Sequence, residues 1–412
     1  MKKVIIIGGG AAGLMAAISA SQAGKKVTLL EKNEKLGKKL FITGKGRCNI
    51  TSACPPDEFL NNVMTNPRFM YSSFERFNNE DMMNFLKERG LKIKIERGQR
   101  VFPESDRSAD VIRVLKKECE KNGVSIRYQS HVVRIHWDEA EGFRAVELEN
   151  GQIIEGDSLI LACGGNSYQT TGSNGEGYRF AESLGHKIKT PEPSLVPFVM
   201  QETWCRDLMG LTLKNVSIKV KDGKKVIDEG FGEFLFTHFG VSGPLVLTAS
   251  TKLGKYQKSL QAGILTLSLD LKPSLSEEQL EKRFLREFDI YRNKNISNVM
   301  DTLLPKKMVS VFLKEAGIEE EKKVRDISKK ERRHMIELMK NMTMHIKGVR
   351  GFEEAIVTRG GVHIKEVNPT TMESKKVAGV FFAGEILDVD AVTGGFNLQI
   401  AWSTGYTAGI FA

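Results

Sequence analysis

Three glycines, Gly8, Gly10 and Gly13, stand in the order G-x-G-x-x-G directly after the β-branched run Val4 to Ile7 and at the opening of the helix-forming stretch Ala11 to Ala23. In such a turn the first glycine permits the sharp reversal. The second lets backbone approach a pyrophosphate, and the third lets helix and strand pack closely. The helix then presents free N–H groups and the positive end of its dipole to phosphate. Eighteen residues after Gly13, at the end of the apolar run Val27 to Leu30, comes Glu31, a carboxylate placed to accept from ribose hydroxyls. The glycines alone are a weak signal. Strand before, helix after and an acid at the next strand end make them a dinucleotide site. Glu31 disfavours a 2′-phosphate on that dinucleotide, although Lys32 beside it works the other way. This βαβ unit leaves NAD and FAD both open.

The elements that must hold this site follow from apolar patterning. Val4 to Ile7, Ala11 to Ala23 and Val27 to Leu30 read as strand, helix and parallel strand. Asp110 to Lys121 has helical spacing. Ser125 to His136, Phe143 to Leu148 and Gln152 to Glu155 read as a meander with a tight turn at Asn150-Gly151. Two buried-type strands, Ser158 to Cys163 and Val377 to Ala383, run into Gly164-Gly165 and Gly384-Glu385. They lie far apart in the chain yet belong in one sheet, so the stretch between them is an insertion. The expected fold is α/β: a two-dinucleotide-binding, Rossmann-like domain over residues 1–192 and 362–412, with an inserted domain over 193–361. The insertion reads as mainly β over 193–271, helical over 272–345, and a return segment over 346–361.

Composition narrows the class. With 412 residues, 41% hydrophobic and 27% charged, the chain is an ordinary globular protein of two or three domains. Met1-Lys2-Lys3 before an apolar run is the start of a signal-like pattern, but Gly8, Gly9 and Gly10 interrupt it. No stretch is apolar for the length of a membrane span, so no membrane partner is expected. Five scattered cysteines without a CxxC pair indicate neither zinc nor a disulfide framework, and a cytoplasmic location is expected. Metal clusters, HExxH and Ser/His/Asp sets are not recognised. The net charge is +10, and most of the excess falls between residues 193 and 361. That favours a polyanionic partner at long range, although a basic surface is often only solvated. No obligate protein partner is evident.

Four longer stretches go further. Gly44-Lys45-Gly46-Arg47-Cys48-Asn49, the run Arg100 to Ser105, the run Phe236 to Pro244, and Glu366 to Ser374 continuing through Gly384 to Asp390 and Gly394 to Gln399 together resemble a bacterial flavoprotein family. Its members are known variously as NAD(FAD)-utilising dehydrogenases, aminoacetone-oxidase-like enzymes or bile-acid dehydro-reductase-like enzymes. The resemblance covers essentially the whole chain, and the C-terminal stretch is its most specific part. It implies FAD as the bound cofactor. It places Gly384 and Glu385 beside the ribityl chain. It sets the opening of the last helix, Asn397, Leu398 and Ala401 after Gly395, where the helix dipole stabilises negative charge on the reduced flavin. Backbone at Val133 is expected to meet adenine, and Cys163, Gly164 and Gly165 to line the adenosine side. The expected cofactor set also takes in Ala11, Ala12, Lys32, Lys39, Thr43, Gly44, Gly46, Arg47, Cys48 and Asp388. Candidate catalytic residues are His238, as proton donor or substrate contact, with Arg47, Asn49 and Arg100.

Cys48 and Cys54 lie where flavin disulfide reductases keep a redox pair, but the spacing is C-x5-C and no second G-x-G-x-x-G domain follows. A transient NAD(P)H donor is therefore expected rather than a resident one. The implied activity is two-electron transfer through the flavin, to a small enone or amine, or to uridine in large-subunit ribosomal RNA, since some relatives in the family are associated with dihydrouridine formation. A flavin-bound sensor is the non-catalytic alternative. The adenosine-binding unit predicts that the purified protein is yellow and that heat releases FAD. Release of FMN, or failure to reconstitute a colourless protein with FAD, contradicts it.

Overall fold

The computed structural model describes every residue from Met1 to Ala412, and the chain divides into two compact units, Met1–Ser194 with Phe352–Ala412, and Leu195–Gly351. In the first unit, β1 (Lys3–Ile7) and β2 (Lys26–Leu30) pair in parallel around the helix Ala11–Gln22. Next come β3 (Thr51–Ser52), β4 (Ile93–Glu96) and β5 (Arg100–Pro103), a small antiparallel sheet in the order β3-β5-β4. After the helix Ser108–Lys121 follow β6 (Ser125–Arg127), the meander β7 (Val132–Asp138), β8 (Gly142–Leu148) and β9 (Ile153–Glu155), and β10 (Ser158–Leu161).

Sequence patterning joined Ser125 to His136 into one strand. The structure breaks it at 128–131. β6 pairs parallel with β2 as the fifth strand of the main sheet, and the meander starts only at Val132. Both pieces are β-rich, so periodicity alone could not show that they belong to different sheets.

β11 (Ile188–Ser194) leads out to the second unit, where β12 (Phe198–Met200), β13 (Thr212–Asp222), β14 (Lys225–Thr237), β15 (Gly240–Ser242), β16 (Leu265–Asp270) and β17 (Met342–Val349) close an antiparallel barrel in the order β12-β15-β14-β13-β16-β17. Met342, Met344 and Ile346 alternate inward along β17. Phe234, Phe236, Leu267 and Leu269 share one core with Phe284, Phe312 and Met335 of the helices Glu277–Ile290, Lys306–Glu315 and Lys329–Lys340. Helix was expected through residue 345, but from Met342 the chain is a barrel strand. Its alternation is short and adjoins a helix, and it is visible only once a partner strand is known.

Returning, β18 (Val357–Val362) pairs antiparallel with β11, and β19 (Val380–Phe382) completes the parallel sheet in the order β19-β10-β1-β2-β6. The last helix, Phe396–Phe411, lies against the helix Ala11–Gln22. Residues Ala12 to Ala20 are all buried. A Cβ at Gly405 would overlap the carbonyl oxygen of Ala12, and one at Gly409 that of Ala16. The two backbones therefore touch through small residues. Gly405→Ala forces them apart and should cost about 1–3 kcal/mol of stability in urea unfolding followed by tryptophan fluorescence. Gly348→Ala, whose added methyl meets nothing within 4 Å, should stay within about 0.5 kcal/mol of the parent. Equal midpoints for the two variants would contradict this packing.

Candidate functional site

All parallel strands of the main sheet end on one edge, and two helices begin there with glycine caps. Gly10 caps Ala11–Gln22 and Gly395 caps Phe396–Phe411, each without a side-chain cap hydrogen bond and without an acid in its first turn. By contrast, Asn78, Ser276 and Ser328 each close a capping box with Asp81, Gln279 and Glu331. Side-chain caps close those three helices and, as in most other helices of the chain, are missing from these two. Their first N–H groups and dipoles are available to an anion. A Cβ on Gly10 would meet nothing within 4 Å, so space lies over this backbone. Gly8 has a φ of 105°, and a Cβ on Gly13 would overlap Gly8 O, which is the close strand–helix approach expected of the third glycine.

Glu31 is buried, 7% exposed. Its Oε2 accepts from Gly9 N at 2.8 Å, and its Oε1 accepts from Asn33 N at 2.8 Å and Asn33 Nδ2 at 2.7 Å. One lone pair on Oε2 is left for a ribose hydroxyl. Asn33 was not anticipated. Its only sequence signal is its position two residues beyond Glu31. Lys32 ion-pairs with Glu176 at 2.9 Å, and His131 Nε2 lies 2.6 Å from the same carboxylate. Burial alone would raise the pKa of Glu176, but the hydrogen bonds from Lys32 and His131 outweigh it and hold the carboxyl below its ordinary value. The β7–β8 register shifts between Val132 and Arg134, a bulge that leaves Val133 out of the residue pairing and 46% exposed.

On the other side, Glu385 Oε2 accepts from Lys39 Nζ at 2.6 Å, and Oε1 accepts from Thr358 N at 2.8 Å and Ser167 Oγ at 3.0 Å. A Cβ on Gly165 would lie 3.0 Å from Oε1, which sets this carboxylate against the Gly164-Gly165 turn. Lys39, Gly165 and Glu385 thus come together. Ser167 and Thr358 join them without having been foreseen, because neither sits in a recognisable motif. Gly384 packs on Ala12, Cβ to Cβ 2.7 Å for an added methyl, with Ala401 behind it. Asn49, oriented so that its amide donates to Val101 O and Thr51 O, accepts from Gly395 N at 3.1 Å and so fixes the start of the last helix. Asn397 turns back on its own loop, bonding Ala391 N and O at 2.9 Å each. Its neighbour Leu398 is half-buried, leaving backbone rather than side chains to line the helix start.

Several other candidates are occupied. Arg47 pairs with Glu96 and with Asp106, 2.6 Å away, and lies 4.1 Å over the ring of Phe102. Arg100 donates to Arg97 O at 3.0 Å. Thr43 bonds Leu40 O where the helix Lys38–Gly46 kinks through Gly44. Burial pushes the thiols of Cys48 and Cys163 up to about 12, which leaves no thiolate at neutral pH. Burial also pushes the Asp388 carboxyl up. Asp390 adds to this, and the hydrogen bond from Asn66 only partly offsets it. His238 belongs to the second unit, exposed in the β14–β15 turn with its ring 4.8 Å from that of Phe239.

The structure also aligns a set that sequence reading did not find. Ser374 Oγ is 2.7 Å from His186 Nε2, and His186 Nδ1 is 3.4 Å from Glu366. It is no nucleophile. Ser374 Oγ already accepts from Lys376 N and Val377 N, and His186 is buried against Phe382. Burial lowers the His186 pKa from 6.5 to about 4, with Lys376 assisting and Glu366 opposing.

The chain belongs to the family described as HI0933-like protein Rossmann domain, whose model matches residues 2–411. It is 32% identical to the 3-dehydro-bile acid delta(4,6)-reductase of Clostridium scindens, over 99% of this chain and 98% of that one. It is 32% identical to the ribosomal RNA dihydrouridine synthase of Haemophilus influenzae, over 98% and 97%, and 31% identical to that of Escherichia coli, over 98% and 96%. Among solved structures it resembles a 3-ketosteroid delta1-dehydrogenase from Sterolibacterium denitrificans, with a TM-score of 0.52, 13% identity and 99% coverage of both chains. The 3-ketosteroid-delta4-(5alpha)-dehydrogenase from Rhodococcus jostii gives a TM-score of 0.50 at 15% identity, over 99% of this chain and 96% of the other. The protein is an FAD-dependent oxidoreductase of Rossmann-like α/β fold. No helix is long and apolar enough to cross a membrane.

Two outcomes test this geometry. Glu31→Ala should weaken FAD binding by about 1.5–3 kcal/mol, the range for a hydrogen bond to a charged group, or roughly ten- to a hundredfold by equilibrium dialysis. Unchanged retention would remove Glu31 from the site. His186 binds its proton below pH 4 in the folded state and below 6.5 when unfolded. Stability is therefore lost as pH falls from 6.5 towards 4, by up to about 3 kcal/mol. His186→Gln should flatten that part of a Tm-against-pH curve, and an unaltered curve would contradict the assignment.

Proposed function

We propose that this protein reduces a carbon–carbon double bond conjugated to a carbonyl, and that its substrate is uridine in large-subunit ribosomal RNA. The observation that carries the reading is the coincidence of reaction class. The relatives' names describe reduction of a delta(4,6) bile acid and formation of dihydrouridine, and both are saturation of a conjugated C=C. A positively charged second unit favours the polyanionic substrate of the two.

The residues of the first unit fit FAD. The bare N-terminus at Gly10 suits the pyrophosphate, Glu31 the ribose, Val133 the adenine, the Lys39–Glu385 pair the ribityl chain, and the bare N-terminus after Gly395 the flavin ring. Bound there, FAD would supply the hydride for the β-carbon, C6 of uracil, with two electrons drawn from NAD(P)H. The main parallel sheet is single, so NAD(P)H has no dinucleotide domain of its own and acts as a transient donor. The α-carbon, C5, needs a proton, for which the family-like stretch Phe236 to Pro244 offers the exposed imidazole of His238. Arg47, with both carboxylate partners in place, is assigned to hold the turn before Asn49 rather than to touch substrate.

A small enone is the second reading, favoured by the bile-acid reductase being as similar as the RNA enzymes. Ribosomal RNA from cells lacking the protein should lack one dihydrouridine and regain it on incubation with the protein and NAD(P)H. Unchanged RNA with consumption of a conjugated dienone bile acid would move the substrate to the second reading. His238→Gln should lower turnover at least tenfold with FAD content unchanged. Undiminished turnover would take the proton transfer away from it.

A further inference from the structure

We infer that the RNA backbone is received on one rim of the second unit's barrel, the β13–β14 hairpin tip with the segment 253–261, and not on the basic helix Lys329–Lys340. The inference rests on the RNA reading above.

The crowded run Lys322, Lys323, Arg325, Lys329, Lys330, Arg332 and Arg333 is the obvious basic feature of the sequence. The structure neutralises much of it. Lys322 pairs with Glu331 at 2.6 Å, Arg332 with Glu281 at 3.4 Å, and Arg333 with Glu337 at 3.3 Å. Arg325 pairs with Asp326, and Lys323 donates to Asn295 Oδ1 at 2.8 Å. Five of the seven charges are thus engaged within the unit and release few counterions on binding phosphate, which leaves Lys329 and Lys330 against the five lysines of the rim.

The barrel rim is the opposite case. Lys221, Lys224 and Lys225 flank the hairpin turn, and Lys255 and Lys258 lie on the 3-10 turn Leu253–Tyr256 and the short helix Gln257–Gln261. Two contacts bring these segments together. Lys225 Nζ sits 5.5 Å from the ring centre of Tyr256, and Ser259 Oγ donates to Asp222 Oδ2 at 3.1 Å. None of the five ammonium groups has an ion-pair partner. The carboxylate of Asp228 is taken by Lys252 at 2.5 Å, and that of Glu229 by Lys219. Asp222 is the remaining acid of the hairpin tip, so the rim keeps a strong positive excess. Tyr256 is half-buried against the core beneath Lys225, and Val226 and Ile264 are exposed beside the lysines, 45% and 49%. A cluster of unpaired lysines beside exposed apolar side chains is a pattern that tracks a nucleic-acid backbone.

The test uses the FAD-loaded protein and a fragment of unmodified large-subunit ribosomal RNA. The variant K224E/K225E/K255E/K258E changes only exposed side chains. It should keep the FAD absorbance spectrum, bind the fragment at least tenfold more weakly at 0.1 M salt, and flatten the log–log salt dependence by roughly 0.7 per lost phosphate contact. The companion variant K329E/K330E, which changes the two exposed lysines at the start of the helix Lys329–Lys340, should bind within threefold of the parent. If both variants bind like the parent, or if only the companion weakens, the rim is not the RNA surface, although the RNA reading stands. If the parent itself does not bind the fragment, the RNA reading falls and the rim assignment with it. Binding of the parent to phosphatidylserine vesicles but not to RNA, lost in the rim variant, would replace RNA by an anionic membrane and overturn the inference.

Discussion

The backbones of the helices Ala11–Gln22 and Phe396–Phe411 meet where Gly405 and Gly409 face the carbonyls of Ala12 and Ala16, with only the small Ser19 hydroxyl beside Gly409. That contact ties the first βαβ unit to the end of the chain, although residues 195–351 intervene in the sequence. It sets two helix starts on the carboxyl edge of one parallel sheet, the place where open α/β sheets take their ligands. A bulkier residue at either glycine would move one helix start relative to the other, and with it the two ends of any long cofactor they share. Trp402, fully buried with its Nε1 donating to Ile50 O at 3.0 Å, and Gln399, bonded to Thr51 and Phe77, hold the last helix from its other side.

Charge follows from that placement. Two bare N-termini on one edge create local positive potential without any lysine, and they suit a molecule with a central pyrophosphate and a ring that becomes negative on reduction. The acids nearby are arranged so as not to cancel it. Glu31 is engaged by Gly9 and Asn33, Glu385 by Lys39, and Glu176 by Lys32 and His131. Each carboxylate is oriented by donors on one side, leaving limited and directional capacity for hydroxyl groups on the other. Cysteine chemistry plays no part in this arrangement, because burial keeps Cys48 and Cys163 protonated.

What could be read from the sequence was what is local. The glycine turn, Glu31, the paired strands at Ser158 and Val380, and the Asn150-Gly151 turn all declare themselves through neighbours a few residues away. The long C-terminal stretch was legible through resemblance. What escaped depends on distant partners. Ser167 and Thr358 gain meaning only against Glu385, β6 only against β2, and β17 only against the strands that close the barrel. The basic run around Lys329 shows the same limit in reverse: it stands out in the sequence, and its ion pairs with Glu281, Glu331 and Glu337 are invisible until the helices are packed.

The link between one cofactor site and one reaction class is tested most directly by a single-turnover experiment. Protein reduced by one equivalent of NAD(P)H without oxygen is mixed with ribosomal RNA bearing unmodified uridine, and flavin absorbance and nucleoside composition are followed together. The account predicts that the flavin is reoxidised and that one dihydrouridine forms per flavin. Reduced flavin that persists with RNA and with conjugated enones, and reoxidises only when oxygen is admitted, would contradict it.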